Sequence, residues 1–150
     1  MKDKFFLILG IAIITWSFYA FFTSPPAKGE SEGVIIISGE SIPVEIADTN
    51  TERIQGLSGR DSLTAGFGIL FVFEKSDMHG FWMKDMKFPI DIIWISDDWR
   101  VVAMEKKVSP DTFPFIFYPP VPAKYVLELN AGEAEKLGIE PGKDVLEFKQ

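Results

Sequence analysis

The chain has no cysteine. Disulfides, thiolate metal centres, a cysteine nucleophile and thiol–disulfide exchange are therefore excluded. It has one histidine, His79, and a lone imidazole without thiolates does not make an ordinary zinc site. No Gly-x-Ser-x-Gly elbow, phosphate-cradling glycine loop or dinucleotide fingerprint occurs, which removes the common motifs of serine hydrolases and nucleotide enzymes. Asn-x-Ser/Thr acceptors are absent. No period of 20–50 residues repeats, so the chain is not a solenoid or propeller. Clusters of Lys and Arg are missing too, and the formal charge is −7. Nucleic acid is thereby excluded as a partner, because phosphate binding needs a positive footprint. Nothing implies a cofactor.

What is present is apolar and aromatic. Hydrophobic residues make up 47% and aromatics 14% of 150 residues, enough for one cored domain with an appendage. Phe5 to Phe22 is an apolar run of 18 residues. As a helix it is about 27 Å long, close to a bilayer's hydrocarbon thickness. Lys2 and Lys4 precede it and the next basic residue is Lys28, which places the N-terminus in the cytoplasm and the rest outside. A cleaved signal is the alternative. Its apolar core is usually only about 7–15 residues and ends in small residues, whereas Phe18, Tyr19, Phe21 and Phe22 stand there. The expected organisation is an anchor at 1–22, a Pro/Gly/Ser-rich tether at 23–33 and one β-rich domain at 34–150, held at the membrane on its extracytoplasmic side.

The densest mixture of bulky apolar and charged residues is the stretch from Phe81 to Ile95. Its pattern predicts a core hairpin, with strands at 80–84 and 91–96 around a Lys87-Phe88-Pro89 loop. Further strands are expected at 34–37, 42–47, 67–73, 99–107, 125–129 and 144–148. The strands at 91–96 and 99–107 flank an Asp97-Asp98 turn, which reads as a hairpin. Along 125–129, Tyr125, Leu127 and Leu129 fall on one face and Val126 and Glu128 on the other. Thr49 and Glu52 form a capping-box pattern that opens a short helix carrying Ile54 and Leu57 inward. Asn130 and Glu133 repeat it before a helix at 131–137 that Gly138 closes. Five prolines among aromatics between Ser109 and Pro122 predict a long ordered loop. The expected fold is α+β, mostly β: a compact antiparallel or mixed β-barrel-like or sandwich domain with two short helices.

Several of these motifs, in this order, carry a resemblance. They are Val44-Glu45-Ile46-Ala47-Asp48-Thr49, Glu52-Arg53-x-x-Gly56-Leu57-x-x-Arg60, Gly68-Ile69-Leu70-Phe71-Val72-Phe73, and Phe81-Trp82-Met83-Lys84 running into Pro89-Ile90-Asp91-Ile92-Ile93. Leu127-Glu128-Leu129 with Ala131-Gly132, and Gly138-Ile139-x-x-Gly142, complete the set. Over about 34–148 the chain resembles the family called domain of unknown function 192. The resemblance implies a mostly β domain with two short helices, often behind a signal or membrane segment. It points to Arg60, Trp82, Met83, Lys84, Asp91 and Glu128 as site residues. Ser58 stands where the family commonly has Met, and Asp85-Met86 where it has Asn-Thr.

Three chemistries compete for these residues. Asp85, Asp91 and Glu128 are candidate acid–base carboxylates for a glycan-directed envelope hydrolase. Asp85 and Asp91 equally suit turn caps or ion pairs with Lys84, Lys87 or Arg60, and Glu128 suits a buried pair with Arg60. Met78, His79, Met83 and Met86 have the soft and imidazole donors that suit Cu(I), and equally the filling of a core. Trp82, Trp94, Trp99 and the aromatics of 113–118, with Arg60, Lys84 and Asp91, have the make-up of a ligand site. The expected function is a membrane-tethered binding or accessory module for an envelope glycan, peptide or protein.

Overall fold

A computed structural model describes residues 33–37, 39–142 and 147–149. The anchor expected at 1–22, its tether up to residue 32, and residues 144–146 of the last expected strand lie outside the described residues. Among those described, no helix is long and apolar enough to cross a membrane.

The β-branched and alternating segments form strands where their side chains can be buried on a pleated surface. They are β1 (Gly33–Ile37), β2 (Glu40–Ala47), β3 (Gly68–Asp77), β4 (Phe81–Trp82), β5 (Ile90–Ile95), β6 (Val101–Val108), β7 (Ile116–Phe117), β8 (Ala123–Asn130) and β9 (Glu147–Lys149). Seven make one sheet in the order β6-β5-β8-β3-β2-β1-β9, and β4 pairs with β7 in a separate ribbon. Among the described strands only β2 and β3 run parallel. The large sheet is mixed and open, with β6 and β9 as its free edges, so the barrel-like expectation is corrected. The mostly β character and the two short helices are as expected.

The centre of the sheet separates two apolar layers. All six residues of β5 are buried, because β6 and β8 flank it and both of its faces are covered. On β8 the expected alternation holds. Leu127 and Leu129 enter the layer that contains Ile35, Val44, Leu70 and Ile93. Val126 enters the opposite layer with Ile69, Phe71, Ile92 and Trp94. The β5–β6 hairpin also forms as expected: the Ser96 amide donates to the Arg100 carbonyl at 2.9 Å, and Trp99 takes φ 62°.

The hairpin expected between 80–84 and 91–96 does not form. Both edges of β5 are occupied by β6 and β8, so β4 has no vacancy beside β5. It pairs instead with β7, Phe81 opposite Phe117 and Trp82 opposite Ile116. The proline-rich segment thus supplies a short strand. Phe81 pins the ribbon onto the sheet, edge-on to Phe71 at 4.9 Å and to Trp94 at 6.2 Å.

The first helix, α1 (Asn50–Gln55), starts with the expected capping box. Thr49 Oγ1 accepts the Glu52 amide at 3.3 Å, and Glu52 Oε2 accepts the Thr49 amide at 3.0 Å. Leu57 is buried behind it, but Ile54 is 83% exposed and so does not join the core. The second helix, α2 (Glu133–Lys136), is capped differently from expectation. Asn130 donates to the carbonyls of Leu63 and Thr64. The cap comes from Asp91 on β5, whose Oδ2 accepts the amides of Gly132 at 2.8 Å and Ala134 at 3.0 Å.

Candidate functional site

Register across the sheet builds the floor of the site. Glu45 on β2 pairs with Ile69 on β3, Ile69 with Glu128 on β8, and Glu128 with Ile92 on β5. These side chains share one face, together with Phe71 two residues along β3. The β4–β7 ribbon and the segment from α1 to Ser58 stand over this face. Between them lies a cleft of about 300 Å3. Phe71, Phe73, Phe81, Trp82, Leu57 and Met86 give it apolar walls, and Glu128 lies at its base.

Local sequence sets this spacing. Gly56 follows α1 at φ 45°; a Cβ there would meet the Phe71 ring at 3.0 Å, so glycine allows both the turn and the close approach. Arg53 donates to the carbonyls of Asp48 and Val72, and to Asn50 Oδ1 at 2.6 Å. Its guanidinium stacks over Phe73 at 5.4 Å, which ties α1 to β3. The turn after β4 is stitched to the turn after α1 by two bonds: Ser58 Oγ donates to the Lys84 carbonyl at 2.8 Å, and the Gly59 amide to the Asp85 carbonyl at 2.8 Å.

Glu128 is the unusual member. It is only 5% exposed, and no hydrogen bond reaches its carboxyl among the described residues. Burial pushes its pKa up to about 8, with the Arg60 charge pulling it partly back. Loss of hydration disfavours the charged form, so the carboxyl is mostly protonated at neutral pH. Arg60 has its own carboxylate. Its two terminal nitrogens donate to the two oxygens of Glu45 at 2.8 Å each, a bidentate pair. Its Nε is buried without a partner. Arg60 and Glu128 therefore come together, as expected, but Glu45 takes the ion pair.

The other sequence candidates divide. Trp82 is 47% exposed, forms the cleft's outer wall, and carries Lys84 Nζ at 5.8 Å from its ring. Met83 is sealed in the core at 1% exposure. Asp85 sits in an exposed turn at φ 55°. Asp91 is fully buried on the opposite face from Glu128, with Oδ1 on the Lys107 amide at 2.7 Å and Oδ2 on α2. Glu128 is the one carboxyl among the described residues that line the cleft, so the acid–base pairs are not assembled there. Met78 is exposed. His79 stacks on Phe73 at 3.5 Å, with Nε2 3.1 Å from the Lys75 carbonyl. No cluster of three His, Asp or Glu suited to a metal occurs among the described residues.

Sequence reasoning missed Glu45, Arg53, Phe71, Phe73 and Phe81 as parts of the site. Alternation on 42–47 puts Glu45 on the polar face of its strand. Only the parallel register of β2 and β3 shows that this face is the one Glu128 shares.

An open mixed sheet with two short helices, and a ribbon-walled aromatic cleft over a carboxyl that has no hydrogen-bond partner among the described residues, defines a small β domain. The chain belongs to the DUF192 family, described as "Uncharacterized ACR", whose model matches residues 34–146. No curated protein matches it. Among solved structures it is similar to a proposed transcription regulator from Sinorhizobium meliloti 1021. That match has 32% identity and a TM-score of 0.70, and covers 77% of this chain and 91% of that one. It is also similar to a protein of unknown function from Novosphingobium aromaticivorans DSM 12444. There the identity is 29% and the TM-score 0.71, over 85% of this chain and 96% of that one.

Proposed function

We propose that this domain is a binding module that takes a small organic group into the cleft between α1 and the β4–β7 ribbon, with Glu128 as the polar anchor. One observation carries the reading: a carboxyl 5% exposed, with no hydrogen-bond partner among the described residues, at the base of an aromatic concavity. Its oxygens still touch solvent in the cleft, since Arg60 Nε is the buried side-chain atom without a partner among the described residues. A body that closes the cleft over them must supply a hydrogen bond or leave them unpaired, at about 1–3 kcal/mol. A ligand that bonds the carboxyl avoids that cost, which is recognition. Aromatic walls suit a flat or ring-shaped body, including a sugar face or a side chain of an envelope peptide.

The Phe5–Phe22 run, with Lys2 and Lys4 before it, supports placement of this module outside the cytoplasmic membrane on a single-pass anchor. Alkaline phosphatase fused to the C-terminus tests the orientation, since it is active only when exported. The binding reading is tested by fragment screening of the full chain alongside Trp82→Ala and Glu128→Leu. Fragments that shift cleft signals in the parent and lose affinity in both variants are the expected result. Fragments that bind all three chains equally contradict it.

A further inference from the structure

The polar groups around the cleft narrow the ligand's class, and this step rests on the binding reading above. Among the charged groups around the cleft, Arg60 is the one that acts on the Glu128 carboxyl. The apolar Ile69 and Ile92 flank it on β3 and β5, and Asp91 of β5 points to the other face. Glu45 of β2 is held by Arg60. Arg53 of α1 lies on the rim with three of its bonds to carbonyl and amide oxygens, and no carboxylate pairs with it among the described residues. Lys84, after β4, lies over Trp82. Two cations therefore border the cleft, and no ionised acid lines it at neutral pH.

From this arrangement we infer that the cleft selects an uncharged carbonyl-bearing head, of the carboxamide type, on a flat apolar body. A neutral carboxyl offers one O–H donor and one carbonyl acceptor side by side. A carboxamide presents the matching acceptor and N–H donor, so two parallel hydrogen bonds form while the body stacks on Trp82 and Phe81. A cationic head would meet Arg53 and Lys84 without a countercharge. An anionic head would lose its hydration over the apolar Ile69 and Ile92 beside Glu128, with Arg53 and Lys84 only at the rim and the terminal nitrogens of Arg60 held by Glu45. The raised pKa of Glu128 gives the selection a pH limit: ionisation removes the O–H donor.

Benzamide, benzamidine and benzoate share one shape and differ in charge, and so separate the outcomes. Their binding to the full chain is read from the Trp82 indole N–H signal at about pH 6.5 and about pH 9.5. Benzamide is expected to bind tightest at the lower pH, by about fivefold or more, and to weaken about thirtyfold at the higher. Glu128→Gln keeps a neutral donor–acceptor pair, so it is expected to bind benzamide equally at both pH values. Preference for benzamidine or benzoate, or pH-independent benzamide binding in the parent chain, overturns the class while leaving the cleft as a ligand site. Failure of all three to move the Trp82 signal overturns the binding reading itself.

Discussion

Asp91 and Glu128 stand on neighbouring strands one register step apart, since Asp91 pairs with Leu129 and Ile92 with Glu128, and they face opposite sides of the sheet. Their surroundings are opposite as well. Three backbone amides bond Asp91, whereas Glu128 is buried among apolar groups with no donor to it among the described residues. One carboxylate is used up by architecture and the other is left for solvent or a ligand.

The Glu128 carboxyl makes stability depend on pH. The folded chain holds a proton that the unfolded chain releases above its ordinary value near 4.5. Stability is therefore full below that value, falls as pH rises towards about 8, and then levels. Each pH unit in the window costs up to about 1.4 kcal/mol, for a total of roughly 3–5 kcal/mol. Urea unfolding at a series of pH values is expected to show this decline. Glu128→Gln is expected to flatten it.

Removing the Asp91 carboxylate destabilises the fold without touching the cleft. Asp91→Ala leaves three backbone amides without their partner, that of Ala134 buried and those of Lys107 and Gly132 part-buried, and a loss of roughly 2–4 kcal/mol is expected by denaturant unfolding. The folded fraction keeps its affinity for cleft ligands. Intact stability, or lost affinity in the folded fraction, would return Asp91 to the site.

Arg60→Met acts on two partners. Glu45 loses both of its bonds, with an expected stability loss of about 1–3 kcal/mol. The charge that restrains Glu128 also disappears, so the Glu128 titration is expected to move further up. Carbon-detected NMR of the side-chain carboxyl reads the direction.

Trp82 separates binding from folding. It is about half exposed, so Trp82→Ala is expected to change the unfolding free energy by about 1 kcal/mol or less. The loss of its stacking face is expected to weaken cleft ligands about tenfold, as measured by calorimetry.

Much of this was legible before the structure, for definable reasons. Alternation on 125–129 already set Glu128 apart from Tyr125, Leu127 and Leu129, because strand period alone decides face. The Thr49–Glu52 cap is likewise a local rule. Long-range pairings were not legible. Strands of two residues, such as β4 and β7, have no period to read, so the hairpin at 81–95 was the wrong partner choice. The cap of α2 comes from Asp91, 41 residues before Gly132, while Asn130 offered a local pattern that the fold uses elsewhere. Glu45 joins the site only through a parallel register.

The most direct test is a carbon-detected titration of the Glu128 side-chain carboxyl in the full chain, with and without saturating benzamide. A midpoint near 8 is predicted for the free protein. Benzamide is predicted to raise it, because a ligand that binds the protonated form stabilises that form. A midpoint near the ordinary 4.5, or one that benzamide leaves unmoved, would contradict the account of Glu128 as a neutral anchor.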